Sequence, residues 1–180
     1  MRVERVSDAD DPMCGARLSF ETKNGVVAAF DMVYETWAAG WFMISYADID
    51  DDGTDEALVQ LDHSSTSGDR FAYLIDYDAD KGAFRTLFCV FSTCLYSQLT
   101  ADEWRELLTQ RFVPEYVLQA YSCDALSIEQ EEDGRYFIRI FYEANDDTQK
   151  MDVRCIEGKW EMRESDSGWT PVPETWKTIE

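Results

Sequence analysis

Residues 125–130, 135–143, 151–156 and 159–164 are short runs rich in β-branched and aromatic residues. Asp133-Gly134, Asn145-Asp146 and Glu157-Gly158 separate them. Runs of this length cut by such pairs fold as antiparallel strands joined by tight turns. Tyr136, Ile138, Ile140 and Tyr142 alternate along one run and are expected to share a sheet face. The same grammar occurs earlier. Residues 41–47, 57–61, 71–77 and 83–91 read as strands, and residues 78–82 as a turn. The chain is therefore expected to contain two antiparallel meanders.

Each meander is preceded by a segment with helical spacing. Val26, Phe30, Val33 and Trp37 recur at four, three and four, and Ala28, Ala29, Ala38 and Ala39 suit a helix. The pattern predicts a helix over residues 24–39, capped by Asn24 and stopped by Gly40. A rival reading takes Asn24-Gly25 as a hairpin turn, with Val26, Ala28, Phe30 and Met32 alternating as a strand. Thr100 and Glu103 have capping-box spacing ahead of Trp104, Leu107 and Leu108, and Pro114 is placed to open a short helix ending near residue 121. The expected class is α+β, two helix-plus-antiparallel-meander halves sharing one compact domain. Its parts are a flexible acidic arm (1–12), a first half (13–98), a second half (99–168) and an irregular tail (169–180).

The net charge of −21, from 37 acidic against 16 basic residues, opposes contact with nucleic acid or an anionic membrane and suits a basic protein partner. No apolar run is long enough for a membrane span. The first residues contain no apolar signal region, so the sequence as it stands reads as cytoplasmic, or extracellular if a signal peptide was removed. Cys14, Cys89, Cys94, Cys123 and Cys155 are odd in number and irregular in spacing, which favours buried thiols over a disulfide framework. Were a bridge present, Cys89 and Cys94 are the first pair to test.

The segment Tyr46–Val59, YADIDDDGTDEALV, concentrates six carboxylates in nine positions. Counted from Asp48, oxygen-bearing side chains fall at one, three and five (Asp48, Asp50, Asp52), Gly53 at six, Thr54 at seven and Glu56 at nine. Alternate oxygens in a tight turn converge, and a glycine at six permits the positive φ that closes it. A hard-oxygen ligand set of this kind suits calcium, with Thr54 lending its carbonyl. Position twelve is Val59, so the segment is not a complete EF-hand. The alternative is a solvated acidic turn with no ion. Asp76, Asp78 and Asp80 also alternate, but Gly82 falls one position late and no acid follows, so this cluster reads as a hairpin turn.

The D-x-D-x-D-G-x-x-E spacing followed by an aliphatic strand resembles the calcium hairpin of FG-GAP and VCBS-type repeats, and residues 30–59 resemble small secreted or surface proteins of gut bacteria. The resemblance implies a calcium role for Asp48, Asp50, Asp52, Thr54 and Glu56. Asp51 departs from it where glycine is usual, and Asp55 stands in place of a common proline. The second half, with LTADEWRELLTQRFVPEYVLQAY ahead of a meander ending in EGKWEMRES, is similar in element order to nuclear-transport-factor-like cones and to cell-wall endopeptidase inhibitors. That likeness implies a concave pocket or protein-binding cleft.

Catalytic motifs are absent from the sequence. His63, the single histidine, is expected in a polar loop beside Ser64, Ser65 and Ser67, a poor setting for a triad. No phosphate loop, dinucleotide fingerprint, C-x-x-C pair or H-E-x-x-H occurs. The expectation is a non-enzymatic binding or inhibitor protein with a calcium-stabilised β-hairpin. The alternative is an acidic nucleic-acid mimic, like many immunity and anti-CRISPR proteins, that blocks a basic groove on its target. Candidate partner-binding residues are Glu131, Glu132 and Asp133, and Trp169 and Trp176 if the tail leaves them exposed.

Overall fold

The computed structural model describes residues 2–7, 13–22, 25–35, 41–63, 69–78, 80–93, 114–121, 123–144, 147–165 and 167–177. Among them lie thirteen strands in three sheets, one 3-10 turn at Glu174–Trp176, and no α-helix. For the described residues the α+β expectation is thereby corrected to an all-β architecture.

The first sheet has three strands in the order β1-β2-β3: β1 (Arg2–Ser7), β2 (Met13–Thr22) and β3 (Gly25–Glu35). Residues 2–7, expected as a loose arm, pair with β2 from Arg2↔Ser19 to Ser7↔Cys14. Of the helix expected over 24–39, the described residues 25–35 are instead β3, antiparallel to β2 from Met13↔Glu35 to Thr22↔Gly25, and the rest lie outside the described residues. The rival hairpin reading was the right one. The alanine-rich helical preference amounts to a few tenths of a kcal/mol per residue, and a continuous ladder outweighs it.

The second sheet runs β4-β5-β6-β7-β8: β4 (Trp41–Ala47), β5 (Glu56–His63), β6 (Asp69–Asp78), β7 (Ala83–Thr93) and β8 (Tyr116–Tyr121). The first four form the expected antiparallel meander. The short helix expected after Pro114 is corrected to β8, parallel to β7 from Phe88↔Tyr116 to Thr93↔Tyr121. Val117 and Leu118, neighbours in sequence, are both buried. A strand covered on both faces accounts for this better than one helical stripe. The capping-box helix expected from Thr100 lies outside the described residues.

The third sheet runs β13-β12-β11-β10-β9: β9 (Cys123–Gln130), β10 (Tyr136–Ala144), β11 (Asp147–Ile156), β12 (Lys159–Glu164) and the two-residue β13 (Thr170–Pro171). Its first four strands are the second expected meander. Residues from both five-stranded sheets build one core: Leu58, Leu74, Phe88 and Leu118 from the second, with Ile49 from the connection between β4 and β5, and Leu126, Ile138, Ile140, Val153 and Trp160 from the third. Phe88 and Trp160 stack at 5.4 Å between centroids. Ala57, Val59, Tyr73, Ile75, Cys89 and Val117, also buried, lie outside that cluster. Cys89 and Cys155 are free, buried thiols. No described helix is long and apolar enough to cross a membrane.

Candidate metal centre

The β4–β5 connection spans residues 48–55, and its shape comes from aspartates capping backbone amides. Asp48 Oδ1 accepts from the Asp52 amide at 3.0 Å, and Oδ2 from Gly53 at 2.9 Å. Asp52 Oδ1 accepts from Thr54 at 2.8 Å. Short polar side chains that take up local N–H groups stabilise such turns. Gly53 has φ +88° and Asp51 φ +61°. The left-handed backbone at Asp51 is one that favours glycine.

Glu56, the first residue of β5, turns its carboxylate back under this loop. Oε2 accepts from the amides of Ile49 at 2.6 Å and Asp50 at 3.3 Å. Glu56 is fully buried, and Oε1 has no hydrogen-bond partner. Carboxylate oxygens of Asp48, Asp50 and Glu56 lie within 4.8 Å of one another. That span is what one cation holds from about 2.4 Å each, a calcium–oxygen distance. The cluster can chelate a divalent cation. Of the five expected ligands, carboxylate oxygens of Asp48, Asp50 and Glu56 converge; Asp52 and Thr54 are exposed, and the Thr54 amide donates to Asp52 Oδ1, which leaves the expected Thr54 carbonyl out of that bond.

The electrostatics follow from burial. Desolvation pushes Glu56 up to about 8, and the nearby charges of Asp50 and Asp76 push the same way. Asp50 is raised by desolvation and by Asp52 and Asp76. Asp76 is itself buried and was read in the sequence only as part of a turn. Arg85, its cross-strand partner on β7, donates from Nε to Asp76 Oδ2 at 2.5 Å. Sequence reasoning missed Arg85. Its position opposite Asp76 depends on the bulge between Leu74 and Ile75, which no local motif announces. The rest of that segment is the expected turn: Asp78 Oδ1 accepts from the Lys81 amide, and Gly82 has φ +65°.

A cleft of about 140 Å³ adjoins the loop, with Asp48, Asp51, Arg135, Tyr136, Cys155 and Ile156 among its walls. It brings the β4–β5 loop beside the β9–β10 turn. Burial raises the Cys155 thiol to about 12, with Asp50 contributing, so it is a protonated wall rather than a nucleophile.

The residues expected to meet a partner have various placements. Glu131 accepts from Arg154 Nη1 at 2.7 Å, Arg163 Nη1 at 3.0 Å and Trp169 Nε1 at 3.2 Å. The Trp169 ring centroid is 4.0 Å from the guanidinium carbon of Arg154 and 4.3 Å from that of Arg163. Trp176 is half-buried against Phe88. Glu132 and Asp133 are exposed. His63, expected in a polar loop, ends β5 opposite Asp69.

No family model, curated protein or solved structure matches this chain.

Proposed function

We propose that this chain is a non-enzymatic binding or inhibitor protein whose β4–β5 loop takes one calcium ion through Asp48, Asp50 and Glu56. The observation that carries the metal reading is the unpartnered Glu56 Oε1, buried beside two further carboxylates. A buried acceptor left without a donor costs about 1–3 kcal/mol, and more when charged. A bound cation removes that cost and the repulsion together. Hard oxygen donors select calcium or magnesium, and a ligand set of carboxylates from one loop, with water, is the kind calcium accepts readily. Three side-chain carboxylates with water completing the shell belong with weak extracellular sites, of about 10⁻⁴–10⁻³ M. Calorimetry with millimolar calcium should show one site, and Asp50→Ala should remove most of the affinity. Absence of heat in the wild type would sink the reading.

A second reading has its own support. Asp51, Asp52 and Asp55 are exposed on the β4–β5 loop, and Glu132 and Asp133 on the adjoining β9–β10 turn. An acidic end of this kind suits a nucleic-acid mimic that covers a basic groove. Its binding would fade between 0.1 and 1 M salt, as the Debye length falls from about 10 to about 3 Å, and would compete with the target's nucleic acid. Binding that is insensitive to salt would exclude it.

A further inference from the structure

We propose that Arg85 is the protein's own competitor for the cation at the β4–β5 loop, an inference that rests on the calcium reading above. The guanidinium reaches three carboxylates. Nε is 2.5 Å from Asp76 Oδ2, Nη2 is 3.8 Å from Asp50 Oδ2, and Nη1 is 3.7 Å from Glu115 Oε1. Asp50 is the shared group. It belongs to the cluster with Asp48 and Glu56, and it is also within ion-pair distance of Arg85.

Asp50 therefore divides its charge between two positive centres. A cation in the cluster and a guanidinium beside the same carboxylate repel each other across a half-buried side chain. The fixed guanidinium lowers the affinity of the loop. Asp76 anchors Arg85 in that position, because Asp76 is buried and Arg85 Nε is its charged partner. Glu115 draws the other end of the guanidinium toward the start of β8, whose backbone is tied to β7 by Glu115 N–H donating to Thr86 O at 3.0 Å. Arg85 thus trims the affinity of a site that three carboxylates would otherwise make tighter, and it couples that site to the β7–β8 edge.

The test compares calcium calorimetry of wild type, Arg85→Lys and Arg85→Gln at low salt, with melting curves for each. Lys keeps a charge for Asp76, and its single ammonium on a shorter reach releases Asp50. It is expected to bind calcium about threefold tighter, and Gln about tenfold tighter. Both gains should shrink at 0.5 M salt, because the guanidinium is partly exposed and screening acts on it. Folding damage weakens binding, so tighter binding is a signature that a merely structural role does not produce. If Gln fails to fold, Lys decides alone. Wild type that binds calcium alongside folded variants of equal or weaker affinity would overturn this inference and leave the loop site standing. Wild type that does not bind calcium would overturn the loop site itself.

Discussion

The backbone nitrogen of Ile49 lies 2.6 Å from Glu56 Oε2, and the Ile49 side chain is buried in the core that the two five-stranded sheets share. One residue between two candidate ligands therefore bolts the acidic loop to the sandwich. Asp48 and Asp50 cannot move apart without pulling Ile49 out of the core, whereas residues 51–55 are exposed.

Ile49→Ala should destabilise the protein by about 2–5 kcal/mol, the usual cost of emptying a buried aliphatic site. It should also weaken calcium binding, because the Ile49 amide positions Glu56. Urea denaturation with and without calcium checks both effects. Loss of stability with unchanged calcium affinity would show that the anchor does not shape the site.

Asp51 holds φ +61° on an exposed loop position. A non-glycine residue there costs about 1 kcal/mol. Asp51→Gly should therefore raise stability by roughly 0.5–1 kcal/mol, with removal of one negative charge adding to the gain. The urea midpoint should rise without a change in slope. A fall would mean that the Asp51 side chain holds the loop together.

Glu56 gives the metal-free protein a definite pH dependence. Its folded-state value of about 8 lies above the ordinary glutamate range. Between that range and pH 8 the folded state keeps a proton that the unfolded state has released. Stability in chelator should therefore fall as pH rises from about 4.5 to 8, and level off on either side. Glu56→Gln should flatten this slope and be the more stable protein at pH 8.5, while losing calcium affinity. Denaturation at pH 5, 7 and 8.5 tests the sign. Parallel slopes for the two proteins would rule out Glu56 as the titrating group.

Trp169 is gripped by Arg154 and Arg163 and donates to Glu131. Trp169→Ala should cost about 2 kcal/mol, since a desolvated cation–π contact contributes up to about that much. Trp169→Phe should recover part of the loss by keeping a ring against the guanidiniums. If Ala is neutral, the tail residue contributes nothing to folding, and a role for Trp169 as a partner contact regains weight.

The meanders were legible because their signals are local. Residues 41–47 and 159–164 were read with the bounds the structure has, β4 at Trp41–Ala47 and β12 at Lys159–Glu164. Alternation sets the pleat, and Gly82, Gly134 and Gly158 all adopt the positive φ that marks a turn. The candidate metal centre was half legible. The spacing of Asp48, Asp50 and Glu56 predicted the convergence that the structure has, whereas the amide hydrogen bonds that Asp48 and Asp52 accept within the loop were not legible. The helix readings failed over 25–35 and after Pro114 because a weak local preference competes with a strand ladder. For β3 that ladder is a hairpin with the neighbouring β2, which the rival reading of the sequence contained; for β8 it is the parallel β7, which lies outside any local window.

The sequence by itself determined where most strands of the two meanders run and which loop gathers the carboxylates, because turn residues and period-two alternation act over a few neighbouring positions. Only the tertiary structure decided that Glu56 is fully buried with one oxygen unpartnered, that Arg85 stands against Asp50, Asp76 and Glu115, and that Glu131 is occupied by Arg154, Arg163 and Trp169. Burial and charge pairing depend on which strands become neighbours and in what register. That outcome comes from non-local hydrogen bonding and apolar packing summed over whole sheets, which no window of the sequence contains.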